Sequence, residues 1–399
     1  MMRRSPLIKL LVLGAILGAT ALACQLIVGV KDDPGSKRLD SAPVSVLPDS
    51  SPDAAPSDRC AHSLPPPPPG TTDLADVAPF WLAFRTFVGI KRDDAGAVVP
   101  IGYDLDGVCT GFEGPTVRDG GASCASNREF PDQEGGVDNV FSETLRSLPS
   151  NAGDKALAGF SEDIDRGLRT VLLYVEGYNG TPNDPEIKGR FVPVETTRTS
   201  LCDGGREVNL PDADHPAPRW EGCDTWDYEG TLIKKSADGA AAPVEALIFG
   251  YVANGVLVLD LRKIKKIDFR FGGLALSAAD AIVTGRLSKT TVGGKPGYVM
   301  TDGVIAGRVE MTDVIKTARQ FIYDGKSLCH NEVAFTLVKG FFCGARDIAE
   351  TTGQDFVEGK RCTSMSLGLG FTAEQAGVGM EAGASLVAAC DAGREDCPP

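Results

Sequence analysis

The sequence predicts a mainly β protein, an antiparallel β-sandwich or jelly-roll-like body with a few short helices, stapled by disulfide bonds. Three observations support this prediction. Apolar residues alternate at period two through several segments, Gly, Asn and Asp separate these segments as turns, and helical periodicity is confined to short stretches. For a chain of 399 residues, an α+β arrangement with two sub-domains is the alternative.

Strand periodicity recurs along the body of the chain. The segments that show it are 80–90, 170–175, 248–252, 256–259 and 267–271. Asn254-Gly255 separates the third segment from the fourth, and this residue pair is the one that a type I′ hairpin turn prefers. The sequence therefore predicts that these two segments form an antiparallel hairpin.

Helix signals are few. Asp138-Asn139 predicts an N-terminal cap for a short helix that ends before Pro149. Thr312-Asp313 predicts a second cap in the C-terminal half, and residues 331–342 fit both the helical and the strand period.

Two segments resemble each other. Asp280–Leu287 reads DAIVTGRL and Asp302–Val309 reads DGVIAGRV, which predicts two successive strands of one antiparallel sheet. The glycine in each segment is expected to mark a β-bulge, with Arg286 and Arg308 turned to solvent beside it.

The charge of the chain excludes one class of partner. The formal net charge is −14, and Lys and Arg form no compact basic stripe. An acidic surface repels phosphate backbones, so no nucleic-acid partner is expected.

The N-terminus carries an export signal. Arg3, Arg4 and Lys9 precede an apolar run, Leu10–Ala23, that is too short for an ordinary bilayer span. The run ends in Ala-Leu-Ala-Cys24, which resembles the lipobox of bacterial lipoproteins. The resemblance implies removal of residues 1–23, acylation of Cys24 and, from Gln25, an outer-membrane location. Cleavage by ordinary signal peptidase after Ala-x-Ala and retention as an uncleaved anchor helix are the alternatives.

A tether is predicted at residues 24–70, ahead of a folded body at 71–399. The tether is rich in Pro and Ser and contains no aromatic residue, so it cannot bury enough apolar surface to fold alone. Five consecutive prolines, Pro65 to Pro69, predict a stiff polyproline II spacer within it.

The cysteines predict a disulfide framework. There are eleven, and a lipid on Cys24 leaves an even number to pair in an oxidising compartment. The shortest plausible loops are Cys109–Cys124 and Cys202–Cys223. Nine cysteines then lie in the body and Cys60 in the tether, so parity favours a bond from Cys60 to the body.

One polar cluster has the pattern of a calcium loop. Asp104-x-Asp106-Gly107 places two oxygen ligands on one side of a tight turn, and Asp138 follows downstream. The rest of an EF-hand loop is missing. The competing interpretation is an Asx turn together with a helix cap.

No motif predicts catalysis, so the leading hypothesis is a lipid-anchored binding or interaction domain of the cell envelope. It would reach the membrane through its N-terminal lipid, and its protein or glycan ligand is unidentified. The alternative is a secreted polysaccharide hydrolase using paired carboxylates such as Glu176 and Glu229, with Trp220, Trp226 and Tyr228 as sugar platforms.

Overall fold

The computed structural model describes residues 59–382 and 397, apart from 72–73, 117, 127, 149–151, 195–201, 203–216, 238, 263–265, 272–273, 293, 320–321 and 324–325. The strands of this part are β1 (Phe80–Val88), β2 (Lys91–Arg92), β3 (Val98–Val99), β4 (Thr170–Glu176), β5 (Asp184–Val194), β6 (Thr225–Glu229), β7 (Ile233–Lys235), β8 (Ala241–Pro243), β9 (Ile248–Ala253), β10 (Val256–Asp260), β11 (Ile267–Phe271), β12 (Leu274–Val292), β13 (Lys295–Glu310), β14 (Ile322–Tyr323), β15 (Lys326–Ser327) and β16 (Ser364–Ala382). Its helices are α1 (Val140–Ser147), α2 (Ala152–Asp165), α3 (Met311–Ala318) and α4 (Glu332–Cys343), with short 3-10 helices at Leu328–His330 and Thr352–Gln354.

Eight strands close into a barrel. Their order is β1-β4-β5-β9-β10-β12-β13-β16, and β16 pairs back onto β1, with every neighbouring pair antiparallel. Two strands add to this sheet outside the ring: β11 pairs with β12, and β6 runs parallel to the end of β16. The mainly β, antiparallel prediction is thus confirmed, and the sandwich or jelly-roll form is wrong, because the first and last strands pair and close one sheet on itself.

Side chains fill the barrel. Residues opposite each other in the ladders share a face, so Phe84, Leu173 and Phe371 all point inward. The rings of Phe84 and Phe371 stack with centroids 4.3 Å apart. Gly303 makes room for them, since a Cβ there would approach the Phe371 ring to 2.6 Å. An eight-stranded barrel encloses only enough space for such side chains.

The alternation predicted for β1 holds only in part. Phe80, Leu82 and Phe84 lie on one face, but the register with β16 shifts between Phe84 and Thr86. This bulge at Arg85 reverses the alternation, so Phe87 is buried and Val88 is exposed. The hairpin prediction at Asn254-Gly255 is confirmed, with positive φ at both residues.

The helices pack on the outside of the barrel, α1 against β16, α2 against β1 and α3 against β12. Helix α1 begins as predicted, with the Asn139 side chain accepting from the Ser142 N–H. The cap predicted at Thr312-Asp313 is wrong, because α3 starts one residue earlier after Glu310, which makes no side-chain cap. No helix in the described ranges is long and apolar enough to cross a membrane.

Irregular segments cover part of the outer face of β13 and β16. We call residues 101–139 and 344–363 the loop layer. The Asn139 amide donates to the Gly368 carbonyl at 3.1 Å, and the Ser366 hydroxyl donates to Asp347 at 2.5 Å. Arg308 donates to the Leu105 carbonyl at 2.6 Å. These bonds attach the loop layer to the barrel wall.

The predicted disulfide loops have different outcomes. The Cys202–Cys223 bond is present, whereas the pairing of Cys109 with Cys124 is wrong. Short loop length does not predict the partner of Cys124, because the fold brings it next to Cys362, which is 238 positions away. The bonds between described residues are Cys60–Cys109, Cys124–Cys362, Cys202–Cys223 and Cys343–Cys397.

The tether is joined to the body, as parity favours. Cys60 bonds to Cys109, and the Tyr251 hydroxyl donates to the Pro66 carbonyl at 2.6 Å. We call residues 59–70 the strap, the described part of the tether. Cys24 lies outside the described residues.

Candidate cation site

Three aspartates meet in the loop layer. Asp104 and Asp106 lie in the turn after β3, and Asp138 directly precedes the cap of α1. One carboxylate oxygen from each lies within 4.8 Å of the other two. Calcium binds oxygen at about 2.3–2.6 Å, so oxygens at this separation fit around a single ion. The structure thus brings together the three residues that the sequence selects.

Local backbone bonds hold each carboxylate in place. Asp104 Oδ1 accepts from the Gly107 N–H at 2.7 Å, and Asp106 Oδ1 accepts from the Val108 N–H at 2.9 Å. Asp138 Oδ2 accepts from the Leu105 N–H at 2.6 Å, which ties the two loops together. The bonds to Asp106 and Asp138 each use one carboxylate oxygen. The Asx turn and the ligand cluster therefore coexist, because each carboxylate has two oxygens.

Two further aspartates lie close enough to interact electrostatically with the cluster, and sequence reasoning missed both. Asp132 lies in the loop layer before Asp138, with Oδ2 accepting from the Thr110 N–H at 2.8 Å. Asp347 lies on the other loop segment, held by the N–H and hydroxyl of Ser366. Neither belongs to a recognisable spacing motif, since residues 132 and 347 meet only through the fold.

Burial and neighbouring negative charges raise the pKa values of the aspartates in and around the cluster. Burial raises the pKa of Asp106 to about 6 and that of Asp347 to about 7, although hydrogen bonds oppose both shifts. Burial, together with the negative charges of Asp106, Asp347 and Asp104, raises the pKa of Asp132 to about 8. Burial and the neighbouring aspartates also raise the pKa of Asp138 well above its usual value. Several carboxylates thus share a largely buried site where desolvation and like charges disfavour ionisation, and a cation would relieve this.

A buried hydroxyl also faces this cluster. Ser123 is 2% exposed and lies beside the Asp106 carboxyl, whose pKa it lowers. Its Oγ makes no hydrogen bond of normal geometry within the described residues. A buried hydroxyl whose contact with Asp106 falls short of normal hydrogen-bond geometry costs free energy, and a ligand here would improve its pairing.

The buried Arg308 pairs with Asp355 and not with the aspartate cluster. The side chain of Arg308 is 0% exposed and donates to both oxygens of Asp355, at 2.8 and 2.6 Å. It also donates to the carbonyls of Leu105 and Ala349. Arg308 therefore fastens the loop layer to β13, and the solvent-facing position predicted for it is wrong. Arg286, in the matching segment, is exposed as predicted.

The carboxylates and aromatics proposed for sugar hydrolysis lie apart from this cluster. Trp220, Trp226 and Tyr228 are buried in the core and present no platform to solvent. Glu229 ends β6 and accepts from the Thr231 hydroxyl. Glu176 lines a surface cavity of about 550 Å³ near β4 and β5. The other acids that line this cavity are Asp76, Asp184 and Glu186.

No protein-family model, no curated protein and no solved structure matches this chain.

Proposed function

We propose that this protein is an exported, lipid-anchored binding domain whose functional site is a calcium site formed by Asp104, Asp106 and Asp138. The observation that supports the site most directly is the convergence of three carboxylate oxygens within 4.8 Å of one another, from two buried residues and the half-buried Asp106. Calcium suits this donor set because it prefers hard oxygen ligands and tolerates irregular geometry. The Ser123 hydroxyl and the carboxylates of Asp132 and Asp347 supply further oxygens nearby.

The bound ion would act here as a structural and binding centre. It would neutralise a group of aspartates that repel one another, and so hold the two loop segments that carry them. Trp220, Trp226 and Tyr228 are buried, and Glu176 and Glu229 lie outside the aspartate cluster, so these described residues favour binding over sugar hydrolysis.

Calcium titration of the mature protein, followed by calorimetry and thermal melting, tests the site. Binding should raise the melting temperature, and a free calcium concentration 100-fold above the Kd should add about 2.7 kcal/mol to the free energy of unfolding. Asp106→Asn should weaken binding while stabilising the cation-free protein, because it removes one repelling charge. Asp302→Asn, at an exposed acid on β13, is the matched control and should change neither quantity.

The outcome that contradicts the site is equally clear. If millimolar calcium gives no heat and no rise in melting temperature, then Asp104, Asp106 and Asp138 serve only as a turn and a helix cap. Magnesium, tested in parallel, should bind more weakly because it requires near-ideal octahedral geometry.

The anchor is a separate part of the proposal and rests on the resemblance of the N-terminus to a lipobox. Cys24→Ser should abolish labelling by a clickable palmitate and move the protein from the membrane fraction to the soluble fraction. Unchanged labelling of Cys24→Ser would contradict lipidation.

A further inference from the structure

The strap is bonded to both loops that carry the three aspartates. The Arg59 carbonyl accepts from the N–H groups of Gly135 and Gly136, at 2.9 and 3.0 Å. The Ser63 N–H donates to the Gly135 carbonyl at 2.8 Å, and the Ser63 carbonyl accepts from the N–H of Asp104 at 2.9 Å. The strap thus bridges Asp104 and the turn that leads to Asp138.

His62 lies at the centre of this contact. Its Nδ1 is 2.5 Å from Asp104 Oδ2, and its Nε2 is 3.5 Å from Asp119 Oδ1. The residue has a φ of +48°, a conformation that few residues other than glycine adopt. The strap therefore adopts a costly backbone conformation at the position that contacts Asp104.

We propose that the cation site and the docked strap stabilise each other, and that His62 links them by holding Asp104 in the orientation that the ion requires. This inference rests on the proposed calcium site. His62 would be a positioning residue: its Nδ1–H donates to one oxygen of Asp104, and the ion takes a remaining lone pair of that carboxylate.

Two physical arguments support the coupling. Without a cation, aspartates on the loops at 104–106 and 132–138 repel one another, and the backbone bonds of the strap span these same loops. With the cation bound, the loops are held together and present a fixed surface on which the strap docks. Coupling of this kind is reciprocal, so a docked strap must also tighten cation binding by the same factor. Groups that orient a metal ligand by a hydrogen bond typically change the affinity for the metal by about 10–100-fold.

A second observation indicates that the cluster takes a ligand. The Ser123 hydroxyl is buried beside Asp106 and makes no normal hydrogen bond within the described residues.

Hydrogen exchange of the mature protein, with calcium or with a chelator, measures docking directly. Calcium should slow exchange of the amides of Ser63, Asp104, Gly135 and Gly136 by at least about tenfold, the lower end of the effect expected for such a partner. Amides within β4, such as that of Leu173, are the internal control and should not respond. Unchanged exchange at these four amides, which bond the strap to the loop layer, would overturn the coupling if calorimetry still detects calcium binding, and it would leave the calcium site standing.

A matched pair of variants tests the role of His62. Asn and Gly both tolerate a positive φ, but only Asn keeps an N–H donor close to the position of Nδ1. His62→Gly should raise the Kd for calcium by about 10–100-fold and speed hydrogen exchange at the same four amides. His62→Asn should keep both the Kd and the exchange rates close to those of the unmodified protein. The Cys60–Cys109 bond is intact in both variants, so the comparison reports docking and not covalent attachment.

The failures are distinguishable. Equal losses in His62→Gly and His62→Asn would show that His62 does not act through its N–H and would overturn its positioning role. Wild-type affinity in His62→Gly would do the same. An absence of calcium binding in the unmodified protein would instead refute the proposed function on which this inference rests.

Discussion

The barrel interior and the aspartate cluster of the loop layer are both shielded from solvent, but they are stabilised in different ways. Inside the barrel, aromatic and aliphatic side chains meet across the strands, as the stacked rings of Phe84 and Phe371 show. In the loop layer, aspartates lie together and are held by hydrogen bonds to the backbone, while Arg308 fastens the layer to the barrel wall. The first kind of core keeps its stability when the ionic conditions change. The second should respond to protons and cations, and four predictions test this difference.

The largest loss of stability is expected inside the barrel. Phe84→Ala removes a fully buried ring and should lower the free energy of unfolding by about 3–5 kcal/mol, from lost burial and the cavity left behind. Denaturant unfolding measures this loss. The Kd for calcium should stay unchanged, because the loop layer contacts the opposite face of the barrel wall. A large change in this Kd would show that the two regions are not independent.

Loss of Arg308 should be nearly as costly and should act through the loop layer. Arg308→Met leaves Asp355 buried without its partner, and breaking such a pair costs about 3–5 kcal/mol. Arg286→Met is the matched control at the corresponding position of β12, and it should change stability by less than about 0.5 kcal/mol because Arg286 is exposed. Equal effects of the two substitutions in denaturant unfolding would contradict the structural role of Arg308.

The pH dependence of the cation-free protein should separate the regions further. The folded state raises the pKa of Asp106, Asp347 and Asp132 to about 6, 7 and 8, from a usual value of 3.8. The folded protein therefore binds protons that the unfolded chain releases, so the free energy of unfolding should fall as pH rises from about 4 to about 8. Thermal melting in a chelator measures the fall. Calcium should reduce it, since the ion binds the ionised carboxylates. Stability that rises over this range would contradict the prediction.

The smallest effects are expected at two aspartates with the same backbone conformation. Asp280 and Asp302 both have a φ of +48° at bulges of β12 and β13. Asp280 accepts from the Thr352 N–H at 2.7 Å, so Asp280→Asn should cost about 1 kcal/mol. Asp302 pairs with the exposed Lys91, and Asp302→Asn should cost less than about 0.5 kcal/mol. Denaturant unfolding that ranks the two in reverse would contradict this assignment.

Features with short-range causes could be predicted from the sequence. The hairpin at Asn254-Gly255 follows from the backbone preferences of two adjacent residues, and the cap at Asn139 follows from one side chain. Asp104 and Asp106 can be predicted because the ligands of a calcium-type turn follow one another at short spacing in the sequence. In each case the residues that cause the structure are neighbours in the chain.

Features that depend on distant pairing could not be predicted in the same way. Closure of the barrel requires β1 to meet β16, which lies at the other end of the body, and no local pattern records that. Asp132 and Asp347 join the cluster only through this fold. The two similar segments show the limit most clearly. Both contain Gly-Arg at the same position, yet Arg286 is exposed and Arg308 is buried, because only the second lies under the loop layer.

The Cys60–Cys109 bond has a mechanical consequence. Force applied to the chain on the N-terminal side of Arg59 reaches a covalent link to the loop layer before it reaches β1, which starts at Phe80. The strand that closes the barrel is thus shielded from being peeled off its neighbours. In a pulling experiment, reduction of this bond should convert a high-force rupture of the loop layer into a lower-force unzipping that begins at β1.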